Sequence, residues 1–504
     1  MSRSGRRLLL GAGLGVLGCL GACWALPERL AVNAPLAHML LGRGAGPPEP
    51  GLFGERIRVP EGFRIGLFGE VRGARFLRVT SKGDLLVSAP RQGHVVLLAA
   101  DRDGDGRADG RRVLLEDLDR PHGLALHDGW LYVAEGSAIS RVRFDAAAGS
   151  VSGVPERVVE GLPDGGNHWT RTVGFGPDGG MYVSVGSSCN VCVEEDPRRA
   201  ALLRFRPDGS EGEIYASGLR NAVGFDWRPG TGDLYATDNG RDLLGDDFPP
   251  CELNRVVRGG FYGWPFANGD RVPDPDLGEG QKQRIDTSIP PAHGFRAHNA
   301  PLGITFLRHP SHPPAFRGAA IVALHGSWNR TRKDGYKVVS LHWQRDGSIQ
   351  ERDFAWGFLE DEDVIGRPVD AAEGPDGAIY LTDDYAGAVY RVARDDGTTR
   401  AADPAGRPSA PETLQDPLAD LTDAERESAA ARGRALWERH ACAECHDAER
   451  AAPGVVPVEL HALARRYDLD SLATYLAAPT PPMPAFPLSD TERRDLAVTL
   501  LQEY

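Results

Sequence analysis

Cys442-Ala443-Glu444-Cys445-His446 is the stretch whose residue types and spacing point to the most definite chemistry. Two thiols one helical turn apart can form thioethers to the edge of a haem, and the adjacent imidazole then lies under the iron as an axial ligand. A redox dithiol or half of a zinc site would use the same two cysteines. No second cysteine pair near the motif supports zinc, and a dithiol does not need His446. The expectation is a c-type haem held by Cys442 and Cys445, with His446 on the iron.

A sixth ligand should follow later in the chain. Met483 stands in Pro481-Pro482-Met483-Pro484-Ala485-Phe486, an irregular stretch where a methionine is not helix core. Met paired with His raises the reduction potential and makes the haem an electron acceptor rather than an oxygen binder. Of the four methionines, Met1 and Met39 are near the N-terminus. His461 is the alternative ligand; Met483 is the preferred one. The remainder of the chain is therefore expected to do something that ends in moving electrons.

A chain of 504 residues is long enough for at least two domains. A net charge of −14 and the lack of a Lys/Arg-rich block argue against nucleic acid as a partner. The 62 Gly and 38 Pro suit a turn-rich β protein. Covalent haem attachment in bacteria takes place outside the cytoplasm, where disulfides are permitted.

Residues 1–26 read as an export signal, with Arg3, Arg6 and Arg7 ahead of an apolar run from Leu8 to Leu26. Arg6-Arg7-Leu8-Leu9-Leu10 loosely resembles a twin-arginine signal. Leu20-Gly21-Ala22-Cys23 resembles a lipobox that would leave Cys23 lipidated; Val16-Leu17-Gly18-Cys19 is a weaker version. An uncleaved anchor and simple cleavage are the other readings. All three put the protein outside the cytoplasm, in the periplasm, and a membrane-tethered form is preferred. Residues 27–54 then form a linker.

From about residue 55 to 395 a Gly/Asp turn followed by a short β-rich apolar run recurs. The copies are Gly83–Ser88, Asp128–Val133, Asp178–Val183, Gly232–Ala236, Arg317–Val322 and Asp376–Leu381, mostly about 50 residues apart. Strand repeats of this period mean a β-propeller with one four-stranded blade per repeat. Six repeats imply six blades, with an insertion in 240–310. Residues 396–420 lack periodicity and read as a second linker. Thr422-Asp423-Ala424-Glu425 has capping-box form and opens a helical pattern, and Ser489 with Glu492 opens another at 489–502. The expected architecture is an all-β six-bladed propeller followed, over 421–504, by a small all-α cytochrome c domain.

Five polar clusters fall in the loops between the repeats: Arg120–Gly123 with His122, Gly166–Arg171 with Asn167 and His168, Gly218–Asn221 with Arg220, His325–Arg330, and Gly366-Arg367-Pro368. Each lies a similar distance before or after its blade's turn, so they can converge at one mouth of the central channel. A channel lined by His, Arg and Asn suits an anionic ligand and offers an imidazole base near neutral pH.

Residues 55–395 resemble the soluble pyrroloquinoline-quinone (PQQ) dependent sugar dehydrogenases, in particular the sorbosone or aldose sugar dehydrogenase branch. The resemblance rests on Gly166–Arg171, Gly218–Asn221, Glu252-Leu253-Asn254, Gly260-Phe261-Tyr262-Gly263-Trp264-Pro265 and Gly366-Arg367. Residues 421–504 look like the cytochrome c domain appended to some members. The resemblance implies a six-bladed propeller, in agreement with the repeat count. It implies His168 as the base that takes the substrate's hydroxyl proton, and Arg220 and Asn221 at the quinone. It further implies His122, Asn167, Arg171, Arg330, Lys337 and Arg367 around PQQ. Calcium is implied twice, on the backbone of Gly240 and Arg241 beside the cofactor and, as a structural ion, on Glu252 and Tyr262.

The chain departs from the pattern in places. Asn167 stands where some members have Asp beside the base, which leaves the orienting partner of His168 open. Val369 replaces the second arginine of the family pair. No lysine falls within His325–Arg330, so Arg330, Lys333 or Lys337 is the substitute. Asp101–Asp109 resembles a calcium loop but carries Arg112 at loop position 12, so a bare turn is an equal alternative. Cys189-Asn190-Val191-Cys192 is expected to be a local disulfide, leaving Cys251 unpaired.

The function expected is oxidation of an aldose or related alcohol or aldehyde, with hydride passing to PQQ and electrons leaving through the fused haem to a further acceptor such as a cytochrome. The rivals are a calcium-dependent six-bladed lactonase, with acidic metal ligands at the channel centre, and a non-catalytic electron relay.

Overall fold

The computed structural model describes residues 31–35, 44–395, 417–418, 421–447, 450, 460, 463, 467–477, 479, 483–484 and 486–503. The export segment 1–26, most of the linker 396–420 and His461 lie outside the described residues. Among the described residues no helix is long and apolar enough to cross a membrane. The chain divides into two compact units, Met1–Pro404 and Ala405–Tyr504.

The first unit is a six-bladed propeller. Blade 1 is built from Leu77–Val79, Leu85–Ala89, His94–Leu98 and Arg111–Leu115, paired in chain order. Blades 2 to 6 repeat this meander with first strands at Leu124–His127, Arg171–Phe175, Ala222–Trp227, Pro301–Phe306 and Pro368–Glu373. These first strands touch one another in succession around a closed ring, so they line the central channel. Every Gly/Asp turn of the sequence pattern leads into the second strand of a blade: Leu85–Ala89, Trp130–Ala134, Met181–Val185, Leu234–Asp238, Ala320–Leu324 and Ile379–Asp383. The turn Asp128-Gly129 shows why these residues recur. Both have positive φ (49° and 75°), the two-residue hairpin geometry that only Gly and Asn or Asp take readily.

The second strands read as unbroken apolar runs because both faces are covered. In Leu85–Ala89 all five residues are buried. Leu85, Val87 and Ala89 pack toward blade 6, whereas Leu86 packs toward blade 2. Six such apolar layers, one between each pair of successive blades, form the core. Blade 6 takes three strands from residues 368–394 and its fourth, Phe63–Glu70, from the start of the domain; Phe63 pairs with Arg394. That closing strand carried no repeat signal in the sequence.

The insertion expected in 240–310 leaves blade 4 after its third strand, Cys251–Val256. Gly260–Phe261 adds a short parallel strand to the edge of blade 3, and a helix, α1 (Lys282–Thr287), follows before the chain returns to complete blade 4 with His293–Phe295.

The described part of the second unit is helical. Thr422 and Glu425 form a reciprocal capping box at the start of α2 (Asp423–Arg439), and Ser489 and Glu492 exchange the same bonds. Between them are α3 (Ala443–His446) and α4 (Leu469–Ala477), and α5 (Asp490–Glu503) closes the unit. The helix at 469–477 is not anticipated by the sequence reading. Helices α2 and α5 cross closely at Gly433, where a methyl group would come within 2.2 Å of the Asp495 carbonyl oxygen. Arg432 grips the Asp495 carboxylate beside this crossing through two bonds of 2.7 Å.

Candidate active site

One mouth of the propeller collects the residues that precede the first strands and those that follow the second strands. His168 sits just before the first strand of blade 3, half-buried, and Ser187 just past its second strand. His168 Nδ1 lies 3.0 Å from the Ser187 carbonyl oxygen and 2.9 Å from Ser187 Oγ. A carbonyl only accepts, so Nδ1 carries the proton. Ser187 Oγ donates its own proton to the Cys189 carbonyl at 2.7 Å and is left as a second acceptor. The Nε2 lone pair is therefore the free face of the ring. Burial first, and then the Arg220 charge, lower the His168 pKa to about 3, so the imidazole is neutral at physiological pH. Asn167, by contrast, is exposed and makes no bond to the ring. Ser187 is the orienting partner that the sequence left open.

Arg220 and Asn221 enter from blade 4. Arg220 has five N–H donors, and five protein acceptors meet them: Asn190 O at 2.9 Å, Asn190 Oδ1 at 2.9 Å, Asn239 O at 3.1 Å, Gly240 O at 2.9 Å and Asp242 Oδ2 at 3.1 Å. The guanidinium thus ties the Asn190 loop to the 239–242 loop and acts on the mouth through its charge, not by offering a spare donor. Cys189 and Cys192 are disulfide-bonded, which closes the loop that presents Asn190. Asn221 is placed beside the base: a methyl group at Gly186 would strike both His168 Cβ and Asn221 Oδ1. Asn221 Oδ1 is buried without a partner.

On the other side of the channel His122 is fully buried, its Nδ1 on the Arg171 carbonyl at 3.1 Å and its Nε2 unpartnered. Its ring lies 4.4 Å from Phe76 and 5.8 Å from Trp169. Arg367 in blade 6 binds the His325 carbonyl and Nδ1 at 3.3 and 3.1 Å. His325 Nε2 and Arg75 Nη1 both reach Asp384, at 2.9 and 2.8 Å. Burial alone would raise the Asp384 pKa, but His325, Arg75 and Arg367 hold it well below the carboxylate range. Arg75 brings to the mouth the second cation that Val369 does not; Val369 instead joins Phe76, Val223 and Leu302 in an apolar cluster of the inner strands.

Not every expected residue converges. Arg171 is completely buried and holds the His168 and Thr170 carbonyls at 3.0 and 2.8 Å, a support beneath the base. Arg330 is spent on Asp246, Asp247 and Ala297, and Lys337 on Asp353 at 2.6 Å. Neither offers a free charge to the channel. Ser187, Arg75 and Asp384 were missed, yet one signal was present. Asn239, His325 and Asp384 each stand seven residues past a turn glycine (Gly232, Gly318 and Gly377), and Gly186, next to Ser187, stands seven past Gly179.

The residues expected to hold calcium share one small cavity of about 20 Å³, lined among others by Asp238, Gly240, Arg241, Glu252 and Tyr262. Asp238 and Glu252 face each other across paired strands, and both are buried. Burial pushes Asp238 up to about 7; burial and the Asp238 charge push Glu252 up to about 8. Facing carboxylates need a proton or a cation, and this oxygen-rich set fits a hard divalent ion. The Gly240 carbonyl already accepts from Arg220, and the Arg241 guanidinium is bound by Asp274. Glu252 accepts from Asn254 Nδ2 and Gly269 N and Asp238 from Asn221 N, and each carboxylate oxygen keeps a further lone pair for such an ion. In the Asp101–Asp109 loop the carboxylates of Asp101, Asp103 and Asp109 lie within 4.8 Å of one another, but they also cap the loop's own N–H groups.

In the second unit Cys442 is buried among Trp437, Ala443 and Leu496, and burial raises its thiol to about 11. His446 N bonds the Cys442 carbonyl at 3.0 Å, so the motif forms one helical turn. The Trp437 and His446 rings lie 6.0 Å apart, and Met483 packs, half-buried, on the same cluster.

An uncharacterized protein of Borreliella burgdorferi is 36% identical over 217 residues, which cover 42% of this chain and 56% of that protein. A pyrroloquinoline quinone-dependent pyranose dehydrogenase of Coprinopsis cinerea is 24% identical over 425 residues, covering 70% of this chain and 56% of its own length. The chain thus spans little more than half the length of these curated relatives. Among solved structures, a calcium form of the Trichoderma reesei family AA12 enzyme superposes with a TM-score of 0.60 at 20% identity, over 69% of this chain and 98% of that one. The holo PQQ domain of the Coprinopsis cinerea pyranose dehydrogenase gives 0.58 at 22% identity, over 69% and 99%. At these identities the likeness is one of fold. The TrAA12-like family profile matches residues 57–248 and 279–395, leaving unmatched within the propeller the third strand of blade 4 and the first part of the insertion that follows it. The six blades and the length of that match place the chain in one group: it belongs to the TrAA12-like family.

Proposed function

We propose that this protein is a PQQ-dependent dehydrogenase that oxidises a hydroxyl-bearing carbon of a sugar and passes the electrons to its own c-type haem. The observation that carries the reading is His168. It is a neutral imidazole with Nδ1 locked on Ser187, which leaves Nε2 as a base at a mouth that also gathers arginines. The likeness to the PQQ-dependent pyranose dehydrogenase of Coprinopsis cinerea supports it.

The mouth fits a planar tricarboxylate. Asn221 Oδ1 and His122 Nε2 are buried and unpartnered, Trp169 supplies an aromatic face, and Arg367 and Arg75 supply positive charge. When bound there, PQQ supplies the two-electron acceptor for the hydrogen leaving carbon. His168 Nε2 takes the hydroxyl proton, Ser187 keeps the ring in the productive tautomer, and Arg220 holds the mouth's loops together while disfavouring a protonated base. The Asp238–Glu252 pair would hold calcium, and the ion would neutralise the two facing carboxylates and tie their paired strands together.

Cys442, Cys445, His446 and Met483 would bind the haem, since the helical turn and the packed methionine fit that group. The fusion keeps the acceptor at high effective concentration. The working place is the periplasm, on a membrane tether formed by residues 1–26, with a further acceptor such as a cytochrome receiving the electrons.

The test is haem reduction. The holo-cytochrome is supplied with PQQ and calcium, and the reduced-haem absorption band is followed with aldoses and small alcohols. Reduction that requires PQQ, calcium and His168 together supports the reading. Failure of every substrate with PQQ bound overturns it.

A further inference from the structure

A cleft of about 1150 Å³ opens from the mouth and runs outward between blades 6 and 1. Its inner end holds Trp169, Arg367, Arg75 and Asp384, which the proposed cofactor site already uses. Its outer end holds Arg72, Arg91 and Arg111, which that site does not use. These three are exposed and have no ion-pair or hydrogen-bond partner among the described residues. The whole lining has five arginines and two carboxylates, Glu70 and Asp384, although the chain carries a net charge of −14. A positive cleft on an acidic protein is a selective feature, because such a site concentrates anions against the field of the whole molecule.

Two further details point to a ligand rather than to bare surface charge. Gln92 Oε1 and Arg75 Nε, both on residues that line the cleft, are buried and have no hydrogen-bond partner among the described residues. A carbonyl acceptor and a guanidinium donor left open together match a hydroxyl-rich ligand, whose OH groups can donate to one and accept from the other. Beyond them, the outer arginines match an anionic terminus, since a guanidinium fork pairs with a carboxylate through two parallel bonds.

The geometry points to a sugar acid as the substrate, with the reacting anomeric end at Trp169 and His168 and a carboxylate toward Arg72, Arg91 and Arg111. This rests on the dehydrogenase reading above and narrows it from sugars in general to uronic acids. The chemistry is the dehydrogenation already given, placed here at the anomeric carbon. The hydrogen on the anomeric carbon would leave as hydride, carrying both electrons of its C–H bond to the quinone, the hydroxyl proton would pass to His168, and the ring hemiacetal would become a lactone that keeps its carboxylate.

The experiment uses the full chain loaded with PQQ and calcium and a soluble dye acceptor, so that the haem is not needed. Initial rates are compared for galacturonate against galactose, glucuronate against glucose, and glucose 6-phosphate as a phosphate-bearing control. Calorimetry with the same ligands reads binding apart from turnover. The expected result is a kcat/KM at least about tenfold higher for the carboxylates than for their neutral partners at low salt, shrinking as salt screens the cleft. Arg72→Gln and Arg91→Gln should each lower the acid-to-neutral ratio about three- to fivefold. Equal or better use of neutral sugars overturns the inference and leaves the dehydrogenase reading standing, as does a preference for the phosphate over the carboxylates. Variants that weaken PQQ binding without changing the ratio also overturn it, because the arginines would then serve the cofactor. Binding of the acids without oxidation of any sugar keeps the anionic cleft and removes the dehydrogenase reading.

Discussion

His168 Nδ1 is shared between two acceptors of one residue, the carbonyl and the hydroxyl of Ser187. The ring's tautomer is therefore set from the end of a neighbouring strand and not by a carboxylate. A carboxylate partner would stabilise a protonated imidazole, whereas Ser187 orients the ring without favouring its charge.

Removing the hydroxyl should leave orientation half intact. Ser187→Ala keeps the carbonyl acceptor, so PQQ-dependent turnover is expected to fall about tenfold with KM little changed. His168→Ala is expected to cost about a hundred- to ten-thousandfold in kcat. Steady-state kinetics with a dye acceptor separates the two.

The depressed histidine pKa values carry a pH signature. His168 and His325 are both lowered to about 3, by burial first and then by Arg220 and Arg367 respectively. In the unfolded chain each binds its proton at about 6.5. As pH falls from about 6.5 toward 3 the unfolded state gains protons that the native state does not, so stability falls. Denaturant midpoints of the PQQ-free protein should drop through that window, and His325→Gln should flatten the drop.

The Asp238–Glu252 pair works in the opposite sense. Their native pKa values of about 7 and about 8 lie above the unfolded values, so without a cation stability is present at low pH and is lost as pH rises through 7 to 8. Calcium should therefore raise the melting temperature more at pH 8 than at pH 5. At a hundredfold excess over Kd the gain is about 2.7 kcal/mol. Glu252→Gln should abolish the pH-dependent part of the gain, as read by scanning calorimetry.

Reduction of Cys189–Cys192 tests how the mouth is held. The loop it closes is short, so little global stability depends on it. Asn190 within it accepts two of the five Arg220 bonds. Cys189→Ser with Cys192→Ser is expected to lower turnover severalfold while shifting the melting temperature by only about 1–3 °C. Equal losses of both would show the loop to be a general staple.

For the second unit, Cys442→Ser with Cys445→Ser should remove covalent haem, measured as alkali-stable pyridine haemochrome. Met483→Ala should retain the haem but lower its potential.

Much of the fold was legible because blades repeat a local rule. Asp128-Gly129 and its five counterparts announce the second strands, and Thr422 with Glu425 announces a helix start; each depends on neighbours within a few residues. The site was legible only in part. His168, Arg220, Asn221 and Arg367 carry chemistry in their residue type, whereas Ser187 and Asp384 gain meaning from contacts made once strands pair: Ser187 meets His168 within blade 3, and Asp384 meets His325 across blades 5 and 6. Lys337 shows the converse: a suitable type at a suitable place in sequence, neutralised by a cross-strand partner, Asp353, that periodicity does not reveal.

The strand Phe63–Glu70, which completes blade 6, is made first and used last. Its partner, Ala388–Arg394, is synthesised more than 300 residues later, so the ring cannot shut until nearly the whole domain has been made. Five blades can assemble on local contacts while the sixth still lacks its closing pair, and until then a strand edge is open to pairing with other chains. A chaperone that masks one strand edge would be enough to remove that hazard.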